Sequence, residues 1–271
     1  MPIHCSDRSW VLETDHTGYA LGINPEGLLS HSYWGSRLPR LKDYPSPPVG
    51  EKWASFNDAA HLTPEEVPTS RDMKFTQPAI TVRFADGVRD LRLKFDSGEA
   101  IKGPLPELCL RFVDEHYPVR VNLHYRLFET EDLIERWVSI HNLGEDPVEL
   151  TRVLSASWNL PPGDGYFLSH LTGRWNDEMH RHREQLTQGI KSLESRRLTT
   201  SHHHNPWFAV DAGDATEDRG KVWFGVLEWS GNWQLAAEVT DFASTRVHAG
   251  VNDWDFTWLL NKGQTYKTPP S

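Results

Sequence analysis

The stretch VRVNLHYRL, from Val119 to Leu127, alternates apolar and polar residues without a break. Successive side chains of an extended strand point to opposite faces, so this alternation predicts a strand with one buried and one wet face. Two shorter alternating runs, 80–84 and 91–95, lie upstream with Asp86-Gly87 between them. An Asp-Gly pair between alternating runs is typical of a tight hairpin, so we expect these two runs to pair.

The same pattern extends through the rest of the chain. Residues 137–140 and 148–150 flank a turn that contains Gly144 and Pro147, and we expect a second pair there. The segment 174–197 is rich in Glu, Gln, Arg and His, but its helical periodicity is poor and Gly189 interrupts it, so we interpret it as extended. We therefore predict an all-β fold: one large antiparallel β-sandwich built from hairpins, with little helix, as a single domain over residues 1–271.

Two stretches break the alternation. The segment 37–70 contains six prolines, which predicts a long irregular loop. Such loops in compact domains more often have a function than not. The segment 211–220 is acidic and contains glycine, so we expect an exposed turn between strands.

The charge balance disfavours nucleic acids and membranes as partners. Lysine and arginine number 28 against 38 acidic residues, which gives a net charge of −10. Nucleic-acid binding and attraction to anionic lipid both depend on a basic surplus, and no apolar run approaches the ~20 residues of a membrane span. We expect neutral or polar partners, such as sugars, or other proteins.

The chain has two cysteines, Cys5 and Cys109, far apart in sequence. Two lone thiols suit a reducing compartment better than a disulfide framework. The first ten residues show no apolar stretch behind a basic one, so a secretory signal is not expected. The sequence thus predicts a cytoplasmic protein.

Motifs that carry chemistry are scarce. His202-His203-His204 places two imidazoles on one face of an extended segment, but no third ligand with suitable spacing is evident. We therefore favour a turn whose imidazoles form hydrogen bonds, and predict no metal and no cofactor. Spacing nominates no pair among the 38 carboxylates, and no nucleophile motif is present, so no catalytic residue is predicted.

Tryptophan is abundant, with 12 residues along the chain. An indole ring can stack on a sugar and donate its N–H to a hydroxyl, although most tryptophans serve cores and interfaces. Trp34 and Trp175 stand close to a glycine, where the missing side chain lets another molecule approach.

Short segments along the chain resemble, in the same order, those of the microbial α-galactosidases of glycoside hydrolase family 36. They are HSYWG at 31–35, LSAS at 154–157, LTGRW at 171–175, ESRRLTTSHHHNP at 194–206, SGNW at 230–233 and GVNDWDFTWLL at 250–260. The chain departs from the family pattern at Leu198, where the family has glycine, and at Asp253, where it has proline.

The resemblance implies a particular part of such an enzyme. It corresponds to the amino-terminal β-supersandwich, which a catalytic (β/α)₈ barrel follows in the family. That barrel carries the aspartate nucleophile and the aspartate acid/base of a retaining mechanism. A barrel needs about 250 residues of alternating strand and helix, and this sequence does not contain that pattern. We therefore expect this chain alone to be inactive, and its parent protein to hydrolyse terminal α-galactosides.

Two binding residues follow from the resemblance. The tryptophan of the Gly-x-Trp segment maps to Trp175, and an aspartate in the loop after Tyr-Trp-Gly maps to Asp43. In the family these residues help to close the sugar pocket, partly across a subunit boundary, which implies a homo-oligomer. Asp43 capping a turn and Trp175 packing on a strand edge are the structural alternatives.

Two other functions remain open from the sequence. One is a free-standing carbohydrate-binding β-sandwich, which the tryptophans and the acidic charge would suit. The other is a structural assembly β-sandwich without catalysis, in which surface tryptophans form subunit contacts.

Overall fold

The computed structural model describes residues 2–50, 62–71 and 74–271, and strands dominate all three ranges. In chain order these strands are β1 (Ile3–Ser6), β2 (Ser9–Glu13), β3 (Thr17–Ile23), β4 (Leu29–Ser36), β5 (Ile80–Arg83), β6 (Leu93–Ile101), β7 (Glu107–Asp114), β8 (Val119–Phe128), β9 (Leu133–Asn142), β10 (Val148–Asn159), β11 (Phe167–Arg174), β12 (Asp177–Gln185), β13 (Gly189–Ser195), β14 (Trp207–Asp211), β15 (Val222–Val226), β16 (Trp233–Val239), β17 (Thr245–Val251), β18 (Trp258–Leu260) and β19 (Thr265–Lys267). One short 3₁₀ helix, Leu41–Asp43, accompanies them within the described ranges. The predicted all-β fold with little helix is confirmed.

The strands form four antiparallel sheets rather than one sandwich of two sheets. Their orders are β1-β2-β3-β4, then β13-β16-β17-β10-β18 with β5 also on β10, then β12-β11-β14-β15, and finally β19-β9-β8-β7-β6. The long strand β10 holds the second sheet together, because its first half pairs with β5 and β18 and its second half with β17. Side chains from all four sheets meet in one hydrophobic cluster.

The strand that the sequence predicts most strongly behaves as expected. In β8 the apolar positions Val121, Leu123, Tyr125 and Leu127 are fully buried. On the other face His124 and Arg126 are half-buried, and Asn122 is buried. The strand pairs with β7 on one edge and with β9 on the other. Burial of each large apolar side chain on this central strand stabilises the fold by about 2 kcal/mol.

The two predicted hairpins are wrong in their pairing, although the turns exist. Asp86-Gly87 forms a tight turn, closed by the Gly87 N–H to Phe84 carbonyl bond of 2.9 Å, and Gly87 has a φ of 90°. However, β5 pairs with β10 while β6 pairs with β7. Likewise β9 and β10 follow one another in sequence but belong to different sheets, because both edges of β9 are taken by β8 and β19. These turns therefore connect sheets instead of closing hairpins.

The remaining predictions about local structure are confirmed where they can be compared. The segment 174–197 is extended, in β12 and β13. The segment 211–220 joins β14 to β15 and is mostly exposed. The segment 37–70 contains the 3₁₀ helix and isolated bridges at Glu65 and Thr69, and its part from 51 to 61 lies outside the described residues. Helices of the length and apolarity needed to cross a membrane are absent from the described ranges.

Candidate functional site

Trp175 lies at the tip of the hairpin formed by β11 and β12. Its side chain is 81% exposed, the most exposed tryptophan among the described residues. Strand β12 is exposed along almost its whole length, so the hairpin extends away from the core at this end. An indole held at the end of a hydrogen-bonded hairpin is positioned to contact another molecule.

Local sequence explains the conformation of this tip. A Cβ on Gly173 would lie 2.7 Å from the Glu178 Cα, so only glycine lets the two strands approach this closely. Asn176 takes a φ of 62° next to Trp175, and its backbone N–H donates to the Glu178 carboxylate at 2.6 Å. Arg174 and Asp177 form an ion pair across the turn at 3.1 Å. These contacts fix the backbone on both sides of the indole.

Asp43 is the last residue of the 3₁₀ helix that follows β4. Its carboxylate accepts two hydrogen bonds from the Arg40 guanidinium, each of 2.9 Å, and its backbone N–H donates to the Arg40 carbonyl. The side chain stays accessible, since the carboxylate keeps 28% of its exposure. A carboxylate in a bidentate pair with arginine is oriented and still has free lone pairs for further donors.

The two predicted site residues lie on separate elements of the fold: Trp175 stands between β11 and β12, and Asp43 belongs to the 3₁₀ helix after β4. Of the other tryptophans that the structure describes, Trp10, Trp137, Trp158, Trp223 and Trp233 are buried. Trp53 lies outside the described residues.

The histidine triplet lies beside the same hairpin. His204 forms isolated bridges to Thr172 on β11 and to Ser201. Burial, the largest cause, lowers the pKa of both His204 and its neighbour His170, which favours neutral imidazoles. Within the described ranges, no group of three or more His, Cys, Asp or Glu side chains is placed to hold a metal ion. His204 therefore packs beside β11 through its backbone bridges, whereas His203 is exposed and the buried Nδ1 of His204 has no hydrogen-bond partner. The predicted hydrogen bonding of the imidazoles remains a prediction.

An aromatic cleft of about 350 Å³ lies where all four sheets meet, and the sequence did not predict it. Its lining contains Thr17, Trp34, Phe128, Asp132, Leu133, Ile134, Glu135, Trp158, Val222, Trp223, Phe224, Gly225, Val226, Glu228 and Ser271. Desolvation opposes ionisation of Asp132 in its wall, but hydrogen bonds from Thr14 and His16 lower the pKa of Asp132 to about 2. Asp132 is therefore an anion that closes a turn, unsuited to donating a proton near neutral pH.

One buried carboxylate, Glu66, organises the centre of the molecule. It accepts hydrogen bonds from Tyr19 at 2.6 Å, Tyr125 at 2.7 Å and Arg136 at 2.7 Å. Burial disfavours the ionised form of Glu66, but the charge of Arg136 outweighs this effect and keeps the pKa of Glu66 below its usual value. Because its side chain is 0% exposed, Glu66 cannot reach a substrate, so its role is structural.

A second buried carboxylate, Glu238, joins β16 to β17. It binds Arg246 at 2.7 Å and His248 at 3.1 Å. Burial opposes its ionisation, but the His248 hydrogen bond and the Arg246 charge lower the pKa of Glu238 to about 2. Burial, reinforced by the Arg246 charge, lowers the pKa of His248 to about 4. This cluster too is closed to ligands.

Comparison with known proteins agrees with the sequence motifs. The model of the family described as "Glycosyl hydrolase family 36 N-terminal domain" matches residues 27–261. Alpha-galactosidase AgaA of Geobacillus stearothermophilus is 31% identical over 287 residues, which cover 97% of this chain and 39% of that protein.

The fold is also similar to solved structures. The crystal structure of the same Geobacillus alpha-galactosidase superposes with a TM-score of 0.91 at 28% identity, covering 97% of this chain and 40% of the other. A variant of it solved in complex with raffinose superposes with a TM-score of 0.88 at 27% identity, over 97% of this chain and 40% of that one. The chain therefore spans about two fifths of the length of the relatives that it matches.

Proposed function

The chain belongs to the glycosyl hydrolase family 36 N-terminal domain family, and from this premise we propose that it is the non-catalytic amino-terminal part of an enzyme that hydrolyses terminal α-galactosides. The observation that carries the proposal is the match of residues 27–261 to that family, together with relatives of which the chain covers 39%. Its architecture supports it, since the buried carboxylates Glu66 and Glu238 are closed to any substrate.

The reacting groups belong to a part of the enzyme outside this chain. We place the aspartate nucleophile and the aspartate acid/base of a retaining reaction in a (β/α)₈ barrel, where the two carboxyl groups stand about 5–5.5 Å apart. In this proposal the four sheets, which share one hydrophobic cluster, act as the rigid supersandwich that braces the barrel.

Trp175 and Asp43 would supply part of the pocket wall. Trp175 would stack on the galactosyl ring or donate its indole N–H to a hydroxyl, which its exposed position at the hairpin tip supports. Asp43, oriented by Arg40, would accept hydrogen bonds from sugar hydroxyls. Because the two residues lie on separate elements of the fold, we propose that they act in a homo-oligomer, at pockets completed by a neighbouring subunit.

The substrates proposed for the parent enzyme are α-galactosides of the raffinose type. The relative solved with raffinose supports this class of sugar. A cytoplasmic location is part of the same proposal, because both cysteines are free thiols, Cys5 exposed and Cys109 buried.

Activity measurements test this function. The complete enzyme, translated from the whole reading frame that contains residues 1–271, should hydrolyse melibiose and raffinose, whereas residues 1–271 alone should not. In the complete enzyme, Trp175→Ala should lower kcat/KM by about tenfold to a hundredfold, mainly through KM, and Trp175→Phe should recover part of the loss. Trp258→Ala, at a tryptophan that is 48% exposed on β18, is the control.

Two results would contradict the proposal. A complete enzyme that cleaves no α-galactoside would refute the function, and turnover by residues 1–271 alone would show that the chemistry lies in this chain. Calorimetry of residues 1–271 with galactose, melibiose and raffinose distinguishes the proposal from a free-standing carbohydrate-binding module. A Kd below about 1 mM, which corresponds to a binding free energy of about −4 kcal/mol, would favour the binding module.

A further inference from the structure

The outer half of β11 loses its neighbour β14 and is covered by a short segment instead. Strand β14 pairs with β11 only over the first three residues of β11. Farther along the same edge, the backbone pairing that the described residues show is the isolated bridge between Thr172 and His204. The segment 201–205, which contains this bridge, also reaches β12, where the Asn205 amide contacts the Met179 sulfur at 3.4 Å. We call residues 201–205 the clamp segment.

Four imidazoles meet where the clamp segment crosses the hairpin. His170 on β11 is 4% exposed and lies opposite His182 on β12, with ring centres 5.3 Å apart. The His204 ring of the clamp segment lies 6.2 Å from the His170 ring, and the His203 ring lies 4.6 Å from that of His204. The contact between the clamp segment and the hairpin therefore consists largely of groups that titrate near neutral pH.

The hydrogen bonds of the two inner rings suit neutral imidazoles. The His170 Nε2 lies 3.0 Å from the Glu184 carboxylate, which Lys191 also binds at 2.8 Å. The Nδ1 atoms of His170 and His204 are both buried and have no hydrogen-bond partner among the described residues. A neutral imidazole can carry its single proton on Nε2, whereas an imidazolium must also place one on Nδ1. Protonation of either ring would thus create a buried donor without an acceptor.

The groups that face these two rings carry little negative charge. On β12, on β13 and in the clamp segment they are His182, Glu184, Lys191 and His203. Burial, the largest cause, lowers the pKa of His170, and Glu184 opposes this effect only in part. Burial also lowers the pKa of His204, and the neighbouring imidazoles add to this effect. If both rings were protonated, two positive charges would stand 6.2 Å apart.

We propose that His170 and His204 form a proton-sensitive latch, which holds the clamp segment against the hairpin while both rings are neutral and releases it when they are protonated. Released imidazoles face water and titrate near their ordinary pKa of about 6.5, above the lowered pKa of the closed state. The released state therefore binds more protons, and its population rises as the pH falls below about 6.5. Release frees the hairpin tip that carries Trp175. The latch itself stands on these contacts, whereas its effect on sugar binding rests on the proposed function.

Hydrogen exchange in the complete enzyme tests the latch without reference to activity. Protection of the amides of residues 171–180, relative to unstructured peptide at the same pH, should fall at least about threefold from pH 7 to 5.5. The upper limit is about tenfold per pH unit for each histidine. Protection of the β8 amides should change less, because β8 lies in another sheet and reports on the stability of the whole domain.

Glutamine variants assign the effect to the two rings. His170→Gln combined with His204→Gln keeps a side-chain N–H donor at each position but does not titrate, so protection of residues 171–180 should no longer depend on pH. His180→Gln is the matched control, because His180 is an exposed histidine of the same hairpin that pairs with Asp177 at 2.6 Å. This control should retain the pH dependence of the unaltered enzyme.

A measurement on the unaltered enzyme decides the matter if the double variant does not fold. Deuterium exchange at the histidine Cε1 positions, followed by mass spectrometry, reports the pKa of each ring. Values for His170 and His204 below 6.5 support the latch, and values at or above 6.5 would overturn it. Protection of residues 171–180 that does not change with pH, or that falls equally in the folded double variant, would overturn it as well.

The outcomes separate this inference from the proposed function. An enzyme that hydrolyses α-galactosides but shows no pH dependence at residues 171–180 would refute the latch and leave the function intact. A pH-dependent hairpin tip in an enzyme that cleaves no α-galactoside would refute the function and leave the latch intact. If both hold, KM for raffinose should rise from pH 7 to 5.5 in the unaltered enzyme more than in the double variant.

Discussion

The Arg136 guanidinium and the Glu66 carboxylate meet at 2.7 Å with 1% and 0% of their side chains exposed. Arg136 also donates to the Ser157 carbonyl at 3.1 Å and lies over the ring of Tyr125 at 5.4 Å. The pair thus ties β9, β10 and the segment 62–71 to one another. Arg136 is the fully charged partner of Glu66, which also contacts His31 at 3.3 Å, so the loss of either member of the pair leaves a poorly compensated charge in the core.

We expect Glu66→Gln to lower the free energy of unfolding of residues 1–271 by about 3–5 kcal/mol, because it strands the buried Arg136. Urea unfolding followed by tryptophan fluorescence measures the loss. Glu145→Gln, which breaks the exposed pair with Lys262, should cost at most about 1 kcal/mol. Equal losses in both variants would show that burial does not control the strength of these pairs.

Acid should destabilise the fold through His248. Its folded pKa of about 4 lies below the ordinary 6.5, so the unfolded chain binds the extra proton as the pH falls. Stability should therefore decline from pH 6.5 to 4 by up to about 1.4 kcal/mol per pH unit. Glu238, whose folded pKa of about 2 lies below the ordinary 4.5, stabilises above 4.5, and this contribution is lost from 4.5 down to 2.

His248→Gln isolates the histidine contribution. Glutamine keeps an N–H donor for Glu238 but does not titrate, so the stability of the variant should vary less between pH 6.5 and 4.5 than that of the unaltered chain. Urea midpoints over this range give the difference. If the urea midpoints of the two proteins depend on pH in the same way, His248 is not the cause of the acid sensitivity.

Leu198 adopts a φ of 67° with its side chain 83% exposed. This left-handed conformation costs a non-glycine residue about 1–2 kcal/mol. Leu198→Gly should remove the strain but widen the unfolded ensemble, for a net gain of about 0.5–1 kcal/mol. Leu105→Gly, at an exposed leucine without positive φ, should lower the free energy of unfolding. If Leu198→Gly lowers it as well, Leu198 is not strained.

Gly173→Ala should displace the hairpin tip that carries Trp175. The added Cβ would meet the Glu178 Cα at 2.7 Å and the Asp177 carbonyl oxygen at 2.9 Å, so the backbone must move, at a cost of about 1–3 kcal/mol. In the complete enzyme we expect KM to rise although no sugar contact is removed. Gly165→Ala is the control, because a Cβ there meets nothing within 4 Å. An unchanged KM in Gly173→Ala would show that sugar binding does not depend on the geometry of the hairpin tip.

The alternation of residues 119–127 correctly predicted which side of β8 is buried, because a period of two assigns faces directly. It could not predict which edges pair. Whether β9 bonds to β10 or to β19 depends on side chains more than a hundred residues away, and the local turn between 142 and 148 is compatible with either.

The candidate site, too, could be predicted only in part from the sequence. Trp175 was found through the Gly-x-Trp motif, and its place in a sugar pocket remains a prediction. The aromatic cleft was missed because its lining comes from six separate parts of the sequence. One local signal existed: β15 reads VWFGV, apolar on both faces, a pattern typical of strands covered on both sides.

The bonds between Arg136 and Ser271 have a consequence for synthesis. Half of the residues 1–271 separate the two, and β19, which fills the second edge of β9, follows β9 by more than a hundred residues. Folding on the ribosome therefore cannot close this sheet until residues 265–271 have left the exit tunnel. In the meantime β9 offers an open edge to other nascent chains, so misassembly should depend on elongation rate and chaperone supply more than on native stability.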